Sequence, residues 1–156
     1  MLLSELLNPQ AIELRLAAGS KREALVELVD LLERAHGIKS QGELLDRVLR
    51  RESMMSTGIG NGVAIPHGKA RAVDRMVASC AIARNGIDFE AVDGEPVNLL
   101  ILLVSPENVA APHVRVLANI SRLLREESVR GQLRDAANPD EFMAMLRAAE
   151  ARHLHV

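Results

Sequence analysis

Val97–Val104 reads VNLLILLV, seven aliphatic residues and one asparagine between Pro96 and Ser105-Pro106. The run falls far short of the roughly 20 apolar residues of a membrane span. It is continuous rather than alternating, which is the pattern of a strand buried on both faces. Two similar runs precede it, Met76–Ala83 (MVASCAIA) and Val63–Ile65 (VAI), set off by Pro, Gly, Asn and Asp. Ile12–Leu16, where Ile12, Leu14 and Leu16 alternate with charge, is a further strand candidate. Between the last two runs, GIDFEAVDGEPV alternates apolar and polar residues and carries Asp93-Gly94, the signal of a tight turn at a sheet edge.

Helices flank these strands. Ser20 and Glu23 form a capping-box pattern ahead of Leu25, Leu28, Val29 and Leu32, with Gly37 as the stop. Ser40 and Glu43 repeat it before Leu45, Val48 and Leu49, predicting a second helix that ends near Arg51 or Glu52. Pro112 fits the first turn of a helix striped by Val116, Leu117, Ile120, Leu123 and Leu124, and Asn138–Glu141 (NPDE) offers cap, proline and glutamate for a terminal helix. Helices, strands and helices without repeat or linker predict one layered α/β domain over residues 1–156, a mixed sheet with helices on both faces.

The 156 residues are 48% hydrophobic but hold two Phe and neither Trp nor Tyr, so the core is aliphatic. A net charge of −2 and the lack of aromatic rings for base stacking argue against a nucleic-acid partner. Without a membrane span, a signal-peptide pattern or a second cysteine beside Cys80, a cytoplasmic protein is expected, not embedded in a membrane.

Ser56–Ala70, STGIGNGVAIPHGKA, leads three glycines and a proline up to His67. Gly58, Gly60 and Gly62 follow a helix and precede a strand, the reverse of a dinucleotide fingerprint, and no P-loop is present; a nucleotide cofactor is not expected. The glycines read either as sharp turns or as a wound loop whose amides face an anion. Pro66 restricts the chain before His67, which belongs at a strand end where α/β sheets bind ligands. A neutral imidazole is nucleophilic near pH 7 and accepts a phosphoryl group at one nitrogen while a hydrogen bond holds the other.

The remaining candidates are weaker by themselves. His113 lies at a helix start, on the stripe of Leu117, Ile120 and Leu124; from position alone it is a core histidine, and it matters only if His67 lies across from it. Arg51 extends the Leu44 and Val48 row, so it either forks onto phosphate or pairs with a carboxylate such as Glu52, while Arg50 falls off that face. Ser56 and Thr57 are loop hydroxyls able to bond a phosphate or an imidazole. His36 suits a helix C-terminus, and His153 and His155 lie in a fraying tail. One cysteine, no H-E-x-x-H and no G-x-S-x-G leave neither a metal site nor a hydrolase triad.

STGIGNGVAIPHG resembles the active-site signature of the enzyme IIA domain of the mannitol/fructose class of the bacterial phosphotransferase system. RRESMMSTGIGNG, FEAVDGEPVNLLILLVSPEN and PHVRVLANISRLL extend the resemblance over most of the chain. It implies a five-stranded mixed sheet with helices on both sides, and phosphate transfer onto His67 from a histidine-containing phosphocarrier protein, without a cofactor. His113 and Arg51 take the family's phosphate-site roles. Ser56, Thr57, Gly58, Gly60, Gly62 and Pro66 take supporting ones, the glycines giving a carrier close access. Gly68 and GNGVAIPHGK are more similar to the nitrogen-regulatory branch, whose partners are regulatory targets, than to sugar-specific members, which serve a transport component. Arg115 stands where the family often has glutamine.

Overall fold

The computed structural model describes residues 1–154. In chain order its elements are α1 (Leu3–Leu6), β1 (Ile12–Glu13), α2 (Lys21–His36), α3 (Glu43–Met54), β2 (Gly58–Gly60), β3 (Val63–Ala64), β4 (His67–Lys69), β5 (Val77–Ile87), β6 (Val97–Ser105), α4 (Ala111–Leu123), α5 (Glu127–Arg134) and α6 (Pro139–His153). The sheet runs β1-β5-β6-β3-β2, with β4 also on β6. β5 is antiparallel to β6 and β2 to β3, whereas β1 lies parallel to β5 and β3 and β4 lie parallel to β6, so the sheet is mixed as expected.

Six strands stand where five were expected, and one residue explains the difference. β3 pairs Val63 with Leu99 and β4 pairs His67 with Leu103, so both lie in one row beside β6 at the same register. Pro66 has no N–H for the ladder and interrupts that row, although its carbonyl still accepts from Leu103 N at 3.0 Å.

The continuous apolar pattern of β6 follows from its central place. Leu99, Ile101 and Leu103 enter one core with Val116 and Ile120 of α4, Leu133 of α5 and Phe142 and Leu146 of α6. Leu100, Leu102 and Val104 enter the other, against Leu25, Leu28 and Leu32 of α2, Leu44 and Val48 of α3, and Phe89. Each such side chain, fully buried, stabilises the fold by about 1.5–3 kcal/mol relative to exposure.

Helix ends show where local signals prevailed. Ser20 caps α2 by accepting from Glu23 N at 3.2 Å, and Gly37 closes it in the left-handed conformation at φ 67°. The expected Ser40–Glu43 box is not formed: Gly42 is the cap residue of α3, and the Glu43 carboxylate instead accepts from the amides of Arg71 and Ala72 at 2.9 and 3.1 Å. Those loop amides have no ladder partner, so the tertiary contact wins over the local one. α3 also continues past Glu52 to Met54. β1 is shorter than Ile12–Leu16: only Ile12 and Glu13 keep the ladder register with β5, although Leu16 N still donates to the Ile82 carbonyl at 2.9 Å before the Ala17 and Ala18 amides turn to the Glu27 carboxylate. His153 closes α6 rather than fraying from it; His155 lies outside the described residues.

The segment between β5 and β6 turns at Gly94 (φ 73°) and folds over the edge strand β2. Val92 N donates to Gly58 O at 3.0 Å, and Asn61 N to Asp93 at 3.1 Å. This covers backbone groups that an edge strand leaves open. Among the described residues no helix is long and apolar enough to cross a membrane.

Candidate active site

His67 opens β4 immediately after Pro66, and α3 crosses that strand closely. Gly68 makes the crossing possible: a Cβ there would stand 3.2 Å from Val48 Cγ2 and 3.4 Å from the Val48 amide nitrogen, so α3 would have to give by a few tenths of an ångström. One helical turn beyond Val48, Arg51 reaches the imidazole, and its Nε donates to His67 Nε2 at 3.1 Å while its Nη1 donates to the Met55 carbonyl at 2.9 Å.

On the other side of the ring, His67 Nδ1 lies 2.9 Å from the Ile65 carbonyl. A carbonyl only accepts, so Nδ1 carries the proton and Nε2 keeps the lone pair that faces Arg51. Burial lowers the pKa of His67 below the ordinary histidine value. The Ile65 hydrogen bond opposes this, and the Arg51 charge adds to it. The ring is therefore neutral and nucleophilic at neutral pH.

His113 comes from the first turn of α4 and lies across from His67, with ring centroids 5.4 Å apart and planes at 63°. Sequence position alone leaves it a core histidine, of interest only if His67 lies across from it. Its Nδ1 is 2.6 Å from Ser105 Oγ. Burial pushes its pKa down to about 4, with the charges of His67 and Lys69 contributing in the same direction.

A pH dependence follows. In the unfolded chain both histidines protonate near about 6.5, whereas the folded protein holds them neutral to lower pH. Their neutral form favours the fold in full above about pH 6.5, and this stability is lost as pH falls below it, the His113 part down to about pH 4. Urea midpoints across that window are expected to fall more for the wild type than for His113→Gln; parallel profiles would contradict the neutral, buried state of His113.

The two histidines share a cleft of about 490 Å³ with Arg47, Arg50, Arg51, Lys69 and the apolar side chains of Met54, Val114 and Leu117. Arg47 is bound to Glu107 at 2.7 Å, and the exposed Arg50 to Asp46 at 3.1 Å. Among the described residues, neither Arg51 nor Lys69 has a carboxylate within ion-pair distance. The alternative of an Arg51–Glu52 pair is thereby resolved, since Glu52 is engaged by Lys21 at 3.0 Å and by Thr57. Two free cations beside an imidazole lone pair suit an anionic electrophile.

The hydroxyls and glycines of the preceding loop are not brought to this cleft. Ser56 Oγ donates to the Phe89 carbonyl at 2.7 Å and Thr57 Oγ1 to the buried Glu52 carboxylate at 2.6 Å, so neither hydroxyl faces the imidazole. Gly58, Gly60 and Gly62 face Ala91, Asp93 and Asn98 of the chain itself. A Cβ on Gly58 would lie 2.8 Å from that of Ala91. The close approach that these glycines allow is intramolecular. Ser105 and Lys69 were missed as cleft groups. Lys69 had a signal, since residues two apart in a strand share a face. Ser105 had none, because its meeting with His113 depends on where α4 packs.

The family model for the phosphoenolpyruvate-dependent sugar phosphotransferase system, EIIA 2, matches residues 5–149. The chain belongs to this family. As an EIIA 2 member it is a phosphotransferase-system component. It is 36% identical over 146 residues to a nitrogen regulatory protein of Bradyrhizobium diazoefficiens, covering 94% of this chain and 95% of that one. It is also 32% identical to the fructose-specific EIIABC component of Bacillus subtilis, of which it spans only 23%. Among solved structures, the nitrogen regulatory protein IIA-Ntr of Neisseria meningitidis superposes with a TM-score of 0.85 at 34% identity, covering 92% of this chain and 97% of that one. The same EIIA architecture is thus found in relatives of both the nitrogen-regulatory and the sugar-specific kind.

Proposed function

We propose that this EIIA domain accepts a phosphoryl group on His67 Nε2 from a histidine-containing phosphocarrier protein in the cytoplasm, and that its phosphorylation state regulates partner proteins. The observation that carries the reading is the pairing of His67 Nδ1 with the Ile65 carbonyl, which leaves Nε2 as the single lone-pair nitrogen of the ring, in a cleft with two unneutralised cations.

In the transfer, the Nε2 lone pair forms a P–N bond as the P–N bond to the carrier's histidine breaks, and the carrier's nitrogen recovers its electron pair. No proton need move, because Nδ1–H is already in place. Arg51 leaves Nε2 for the phosphoryl oxygens, which its planar fork fits better than a single ammonium does. Arg51→Lys is therefore expected to slow phosphate uptake about tenfold while keeping the charge; quench-flow with phosphorylated carrier measures it, and an unchanged rate would remove Arg51 from the transfer step.

The regulatory branch is supported by Gly68 and by the near full-length match to the Bradyrhizobium nitrogen regulatory protein. The Bacillus subtilis relative favours a second reading, a sugar-specific component that passes phosphate to a transport protein. Incubation with phosphoenolpyruvate, enzyme I and the phosphocarrier, followed by intact mass at alkaline pH, tests both readings at their common step. One acid-labile phosphate is expected, and its absence with a competent carrier would refute transfer. Subsequent passage to a permease component would select the second reading.

A further inference from the structure

We propose that Ser105 is a positioning residue of this site: its hydroxyl donates to His113 Nδ1 and fixes His113 as the Nε2–H tautomer, a neutral donor beside the nucleophile. The inference rests on the reading of His67 as phosphoryl acceptor.

Ser105 ends β6, opposite Lys69 of β4, and is wholly buried. Its Oγ lies 2.6 Å from His113 Nδ1, and among the described residues this is its one hydrogen bond. That exclusivity sets the direction. Were Nδ1 to carry the proton, it would donate to Oγ, and the serine's own hydrogen would be buried without an acceptor, which is costly. With the hydroxyl donating, both groups are satisfied and the remaining ring proton sits on Nε2. A doubly protonated ring is disfavoured because His113 is buried, with Lys69 and His67 close by.

The two imidazoles then have opposite tautomers. His67 donates through Nδ1 and offers Nε2; His113 accepts at Nδ1 and offers Nε2–H. This division of labour suits transfer of an anionic group. The His67 lone pair forms the bond to phosphorus, while the His113 N–H donates to a phosphoryl oxygen. In the other tautomer, His113 would present a second lone pair to that oxygen and repel it. Ser105 acts through His113 and does not itself touch the phosphoryl group.

The test is nitrogen NMR of the full chain labelled with ¹⁵N-histidine, combined with the rate of phosphate uptake. In the wild type, the His113 resonances should show an unprotonated Nδ1 and a protonated Nε2. In Ser105→Ala the two should move toward averaged positions, and uptake should slow about tenfold, the loss of one oriented hydrogen bond. Ser105→Thr restores the hydroxyl and should restore both readings. A wild-type His113 protonated on Nδ1, or a Ser105→Ala variant with wild-type tautomer and rate, would overturn the assignment. A wild type that takes no phosphate refutes the transfer reading instead, while its nitrogen shifts still decide the role of Ser105.

Discussion

His67→Ala is expected to take up no detectable phosphate from the carrier, with little change in folding. The half-buried imidazole supplies the one lone-pair nitrogen that its own hydrogen bonds leave oriented into the cleft. His113 does not substitute for it, because it is almost fully buried and its Nδ1 is occupied by Ser105. Arg51 and Lys69 have no nucleophilic alternative to offer, since guanidinium and ammonium groups hold no free electron pair at neutral pH. Alanine leaves the strand register intact, for β4 pairs with β6 through its backbone. Intact mass and circular dichroism on the same samples check both halves, and phosphate on a folded variant would move the acceptor elsewhere.

Glu52→Ala is expected to be the most destabilising single change near the site, by about 3 kcal/mol or more, as for a buried charge pair that loses one partner. The Glu52 carboxylate is buried and accepts from Thr57 N at 2.9 Å and Thr57 Oγ1 at 2.6 Å, while pairing with Lys21 at 3.0 Å. Lys21 in turn sits 5.0 Å over the ring of buried Phe89. Removing the carboxylate leaves the Thr57 amide and hydroxyl without their acceptor, and leaves the Lys21 ammonium only the exposed Glu90 carboxylate at 3.5 Å. Glu52→Gln keeps an acceptor and should lose less. Urea unfolding of both variants decides the matter, and an alanine cost below about 1 kcal/mol would show that water replaces the carboxylate. Because Glu52 adjoins Arg51 and anchors, through Thr57, the loop that leads from α3 to β2, the alanine variant should also accept phosphate more slowly.

Glu52 shows why the loop hydroxyls were misread. Thr57 and Ser56 look like free hydroxyls next to a glycine-rich turn, and such groups commonly bind anions. Their partners, Glu52 and the Phe89 carbonyl, come from the preceding helix and from the segment between β5 and β6. Gly58 is open to two readings for the same reason: the sequence shows a residue without a Cβ, and only the packed segment shows that Ala91 fills the space. The Ser40–Glu43 pattern likewise has the right letters, and loses to the unpaired amides of Arg71 and Ala72.

Much was decided by the sequence alone. The two-sided apolar run of β6, the Ser20 cap, the Gly37 stop and the Asn138-Pro139 helix start are local signals, each expressed within a few residues, and local dihedral and burial preferences are enough to satisfy them. Pro66 before His67 also belongs here, for a missing N–H needs no distant partner to interrupt a strand row. Tertiary structure alone decided which polar groups meet. It set Arg51 on His67 through the close crossing of α3 over Gly68, brought His113 to 5.4 Å from His67, and closed the Ser105–His113 contact. Those distances depend on how helices remote in sequence pack on the two faces of one sheet, and packing is fixed by the sum of many apolar contacts rather than by any residue's own preference.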